Sequence, residues 1–217
     1  MRKTPLVTGS FYHIFNRGVN KQDIFFEKWD YVRFLKAAIH YKDKSIKFSY
    51  EDLVPIRHRF NETGSSDSGA RVEVLAYSLM PNHFHFLIKQ LKDGGITDYM
   101  RRLANGYAHY VNNKHGRVGP LFAGRFKGVL IENDDQLLHL SRYIHLNPLV
   151  SGLTDDLKDY PWSSYFSYSG TSQDDLCDPG EILGMFKDKD GYKRFVLDQA
   201  DYGKRLEEIK HLTIDYQ

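Results

Sequence analysis

The chain has 217 residues, 30 Lys+Arg against 28 Asp+Glu for a formal net charge of +2, and 41% hydrophobic residues. That suffices for one domain with a real core plus a small appendage. Its single cysteine, Cys177, excludes an internal disulfide and a cysteine-built zinc site. No apolar leader opens "MRKTPLVTGSFYHIF" and no stretch approaches a membrane span, so a cytoplasmic protein with no membrane partner is expected.

In chain order, "FYHIFNR" (Phe11 to Arg17) is rich in aromatic and β-branched residues and predicts a strand, broken by Gly18 and Asn20. Asp30 opens a helix whose Tyr31, Phe34, Leu35, Ala38 and Ile39 share an apolar face. A flexible insertion is expected at about 47–71, around "NETGSSDSGA". "VEVLAYSLM" and "HFHFLIKQ" form a hairpin that turns at Pro81 and Asn82. Thr97 caps a helix reaching about Lys114, with Gly116 ending it. After the loop "GRVGPLFAG", Arg125 to Ile131 reads as a strand. Asn133 or Asp134 then caps a helix that Pro148 stops after Asn147. The order β-α-β-β-α-β-α predicts an α+β fold with a ferredoxin-like antiparallel sheet. Residues 1–153 form the expected main domain, and 154–217 a C-terminal extension with one or two short helices.

Charge is uneven. From Tyr99 to Ile131 lie Arg101, Arg102, Lys114, Arg117, Arg125 and Lys127 with no acidic residue, whereas 155–190 is acidic. The basic run, interleaved with Tyr107, Tyr110, Phe122 and Phe126, suits either a solvated helix face or a nucleic-acid strand. Strand alternation puts His83, His85 and Leu87 on one face and Phe84, Phe86 and Ile88 on the other, which is the expected core face. Two imidazoles side by side are either polar residues of a half-exposed strand or two ligands of one cation that needs a third. On "DDQLLHLSRYIHLNP", Gln136, His139, Tyr143 and Asn147 flank an apolar stripe, and Tyr143 and Asn147 are i,i+4 neighbours.

In order, "YHIFNRGVNKQDIF", "MPNHFHFLI", "GPLFAGRFKG", "YIHLNPLVSGL" and "YPWSSY" resemble the HUH single-tyrosine transposases, in the branch of the REP-associated tyrosine transposases. The resemblance covers most of Phe11 to about Tyr168 and implies the HUH endonuclease fold. By that resemblance His83 and His85 match the metal-binding pair, Asn147 the third ligand and Tyr143 the nucleophile. It implies a divalent cation, Mg2+ or Mn2+, and single-stranded or hairpin DNA as partner of a monomer or homodimer. It implies a transposase that cuts and rejoins DNA through a 5′-phosphotyrosine intermediate. A phosphodiesterase without a tyrosine nucleophile, and a domesticated DNA-binding protein of the same fold, remain the alternatives. Tyr107 and Tyr110 are the rival nucleophiles.

Overall fold

The computed structural model describes residues 5–43, 48, 69–170 and 174–198. The strands are β1 (Phe11–Arg17), β2 (Val72–Met80), β3 (His83–Gln90) and β4 (Lys127–Ile131). The helices are α1 (Lys28–Asp43), α2 (Gly95–His115), α3 (Asp134–Val150), α4 (Tyr165–Ser169), α5 (Gly180–Leu183) and α6 (Lys189–Leu197). The sheet order is β2-β3-β1-β4, with every neighbouring pair antiparallel. This is the ferredoxin-like arrangement expected from the element order, and the fold class is α+β.

One face of the sheet is packed by aromatic residues. Phe34 of α1 lies 5.3 Å from Phe84, and Tyr107 of α2 lies 4.9 Å from Phe34. Asp30 shapes the start of α1: its carboxylate accepts from the backbone of Phe26 and Glu27, as an N-terminal carboxylate should. The opposite face, expected to be half exposed, is also covered: His85 and Leu87 are fully buried. Here α3 lies against β2 and β3, and a three-layer core results.

Several boundaries differ from expectation. Gly94, not Thr97, sits at the N-cap of α2, which starts at Gly95. Gly116 ends that helix in the left-handed conformation at φ 59°, as expected. Strand β4 begins at Lys127 rather than Arg125. Pro148 does not stop α3, which continues to Val150. A proline in the last turn forfeits just the one bond its missing N–H would make, and Asn147 still accepts from Ser151 N. Asn147 is thus an interior residue of the helix and not its terminator.

Among the described residues the extension carries three short helices and a 3-10 turn, where one or two helices were expected. It runs along the outer edge of β2: Leu79 N donates to Trp162 O, Ser164 N to Tyr77 O, and Asp178 N to Val74 O. A register shift between Val74 and Ala76 leaves Leu75 as the extra residue of a bulge. Its carbonyl accepts from Tyr168 OH at 2.7 Å and from Cys177 Sγ at 2.8 Å. The segment thereby closes an edge that would otherwise offer unpaired backbone. Of the expected insertion at 47–71, residues 47 and 49–68 lie outside the described residues.

Candidate functional site

The site grows out of cross-strand register. In β1–β3 pairing Phe15 faces His85, Arg17 faces His83 and His13 faces Leu87. In β1–β4 pairing Lys127 faces Phe15. Directly paired residues share a face, so His13, Arg17, His83, His85 and Lys127 all stand on the side covered by α3. Tyr143 comes down from α3 with its ring edge-on to His85, centroids 5.4 Å apart, and 6.2 Å from His13. The tyrosine is 3% exposed. Asn147, one turn further and also buried, donates its amide to Tyr143 O at 3.4 Å. His139, in the same sequence row, turns away: it bonds Arg142 and packs on Phe195.

The histidines have distinct surroundings. His83 Nδ1 lies 2.5 Å from Asn82 Oδ1, which fixes a proton there and makes Nε2 the basic nitrogen. His85 Nδ1 lies 2.9 Å from His13 Nε2, while its own Nε2 is buried with no hydrogen-bond partner among the described residues. Burial, reinforced by His83, His13 and Arg17, holds the His85 imidazole well below the usual histidine range. His85 is therefore neutral, the form able to give a lone pair to a cation.

The rival tyrosines are committed elsewhere. On the other side of the sheet, Tyr107 OH donates to Ile24 O at 2.7 Å and Tyr110 OH to Asp30 at 2.9 Å. Burial pushes both phenols up, and for each the Asp30 charge adds to the effect.

The basic run divides. Arg101 and Arg102 bond Asp98 at 2.6 and 2.8 Å, and Lys114 bonds Glu27 and, at 2.7 Å, Asp30. The acids are missing from the run itself but arrive from Asp98 just before it, from Asp30 of α1 and from Glu27 just ahead of that helix. Arg125 and Lys127 are exposed, and with Arg117 they form no ion pair among the described residues. The loop before β4 docks on the end of β1 through Val19 N to Leu121 O, Ala123 N to Arg17 O and Asn16 Nδ2 to Gly124 O. It therefore leads into Lys127, which register puts on the histidine side.

Residues 57–147 match the family described as "Transposase IS200 like". The chain resembles the IS200-like tyrosine transposases. A Haemophilus influenzae protein named as a REP-associated tyrosine transposase is 26% identical over 103 residues, 43% of this chain. The chain spans 58% of the length of that relative. The fold matches the structure of a REP-associated tyrosine transposase bound to a REP hairpin. The TM-score is 0.55 at 15% identity, over 82% of this chain and 90% of that one. Tyr143, Asn147, His83 and His85 all fall inside the matched residues, whereas His13 and Arg17 precede them. Those two were missed from sequence because only strand register puts "HIFNR" beside "HFH"; their alternation in β1 was the available signal.

Proposed function

We propose that the protein is a DNA-strand transposase that cuts and rejoins single-stranded DNA next to a hairpin. Tyr143 is the nucleophile, and His83, His85 and Asn147 hold a divalent cation, Mg2+ or Mn2+. The observation that supports this most is Tyr143 edge-on to His85, whose buried Nε2 has no hydrogen-bond partner among the described residues. The donor set fits such an ion: the amide oxygen beside the two imidazoles is a poor zinc ligand and a hard oxygen donor suited to Mn2+ or Mg2+. When bound, the cation neutralises charge on the phosphoryl oxygens.

The chain's own residues do the rest. The Tyr143 phenol loses its proton, and its oxygen forms a bond to phosphorus while the bond from phosphorus to the 3′ oxygen breaks. The 3′ oxygen takes up a proton and leaves as a hydroxyl, and the 5′ phosphate stays on the tyrosine. A later 3′ hydroxyl reverses the step and joins strands without an external energy source. Arg17, Arg117, Arg125 and Lys127 hold the phosphates, and burial under α3 excludes water from the phosphotyrosine. A nucleic-acid substrate fits a cytoplasmic protein, and among the described residues no helix is long and apolar enough to cross a membrane.

The test mixes the protein with hairpin-flanked single-stranded DNA and Mn2+ and looks for a denaturant-resistant adduct. Tyr143→Phe removes one oxygen, keeps the ring, and is expected to bind DNA yet form no adduct. An adduct surviving in that variant refutes Tyr143. Hydrolysed DNA without any adduct points to a phosphodiesterase, and binding without cleavage to a DNA-binding protein.

A further inference from the structure

His13 has no part in the reaction as described, yet its ring nitrogen lies within hydrogen-bond distance of His85. It is fully buried on β1, two residues before Phe15, the cross-strand partner of His85. The diagonal relation brings His13 Nε2 within 2.9 Å of His85 Nδ1, with the rings stacked 5.1 Å apart at 19°.

One proton lies between those nitrogens, and its owner decides what His85 presents. If His13 donates, neutral His85 must carry its proton on Nε2, a buried atom with no acceptor among the described residues. If His85 donates from Nδ1, its Nε2 bears a lone pair, which a cation satisfies. Burial thus selects the second arrangement.

We infer that His13 is a positioning residue that accepts the Nδ1 proton of His85, fixing that ring's tautomer and orientation with the Nε2 lone pair available to a metal ion. The consequence for metal binding rests on the assignment of His83 and His85 as ligands; the tautomer is a property of the metal-free protein. The role is that of the carbonyl or carboxylate that usually orients a ligating histidine, here filled by a second imidazole. The stack resists rotation of the His85 ring.

The experiment has two readouts. Two-bond proton–nitrogen correlation spectra of metal-free protein labelled with 15N-histidine report each ring's tautomer. His85 is expected as a single Nδ1–H species, giving way to a mixture or to Nε2–H in His13→Phe, which keeps a flat ring but no acceptor. Calorimetric titration with Mn2+ is expected to weaken roughly 10- to 100-fold in His13→Phe. His13→Gln, with an amide oxygen near the place of Nε2, restores much of that loss. An Nε2–H tautomer for His85 in the unmodified protein overturns the inference without any variant. So does a folded His13→Phe with unchanged tautomer and Mn2+ affinity. If the tautomer shifts as expected but even the unmodified protein takes up no Mn2+, the inference about His13 stands and the assignment of the cation site falls.

Discussion

The proposed DNA binding should show a salt dependence that separates the cations of this protein into two groups. Arg101, Arg102 and Lys114 already face carboxylates at hydrogen-bond distance, so they have little counterion to release. Arg17, Arg117, Arg125 and Lys127 form no ion pair among the described residues. For a single strand each phosphate contact contributes about −0.7 to the slope of log affinity against log salt. If only the unpaired group binds, the slope is about −2.8 and affinity falls about 50-fold between 50 and 200 mM salt. If all seven bind, the slope is about −4.9 and the fall about 900-fold. Fluorescence anisotropy with a labelled hairpin-flanked strand resolves that difference. Replacing Arg125 and Lys127 by alanine should flatten the slope by about 1.4, whereas replacing Arg101 and Arg102 should leave it within error. Equal flattening by both double variants refutes the partition.

Asp30→Ala removes a fully buried carboxylate that accepts from Phe26 N, Glu27 N, Tyr110 and Lys114, and should cost about 3 kcal/mol in urea unfolding. Burial alone would raise the pKa of Asp30, but the bonds from Lys114, Phe26, Tyr110 and Glu27 outweigh it and hold it below 3.8. Its contribution is therefore fully present above 3.8 and lost as pH falls through the lower folded value, so acid titration of Asp30→Asn should lack that component. Gly95→Ala would set a Cβ 2.4 Å from the backbone oxygen of Arg71 and should cost about 1 to 3 kcal/mol by the same assay. Burial, with Asp174 adding to it, pushes the Cys177 thiol well up, so thiol reagents should label native protein slowly, and rapid labelling would show that the extension does not stay docked.

Sequence pattern carried the secondary structure well where each element has one strong signal. The aromatic and β-branched runs gave β1, β2 and β3 their observed limits, and Asn133 caps α3 by accepting from Gln136 N. Pattern failed where two distant segments decide the outcome. Nothing local to "HFHF" reveals that its histidine face is roofed by α3. Nothing local to the basic run reveals that Asp30 and Glu27 neutralise Lys114. Pro148 misled because its usual effect on a helix is weak in a final turn, where few bonds remain to be broken. The contact of His13 with His85 depends on a register that two strands far apart in sequence adopt only after folding.

The extension explains why Tyr143 is held against His85. α3 is buried on both sides, as its run of covered residues from Leu137 to Pro148 shows. On the side away from the sheet, Arg142 donates to Phe195 O at 3.0 Å, and His145 bonds Tyr192 OH at 2.7 Å and Ser164 Oγ at 2.8 Å. Ser164 also accepts from Tyr77 N on β2, so one hydroxyl ties extension, helix and sheet together. These polar contacts are directional, unlike apolar packing, and they fix the rotation of α3 about its own axis. Rotation matters because residues spaced by one turn move together: turning the helix would carry Tyr143 off His85 and swing Asn147 with it. With Tyr143 3% exposed, the proposed attack on a DNA phosphate needs either α3 and its cover to yield or an approach that bypasses them. The anchors that aim the tyrosine are therefore the contacts that must loosen, or the strand must enter from the open β4 side, where Lys127 lies over Phe15 at 5.9 Å. The second route leaves the buried network intact and leads phosphates past unpaired cations, so it costs less and is the one the charge distribution favours.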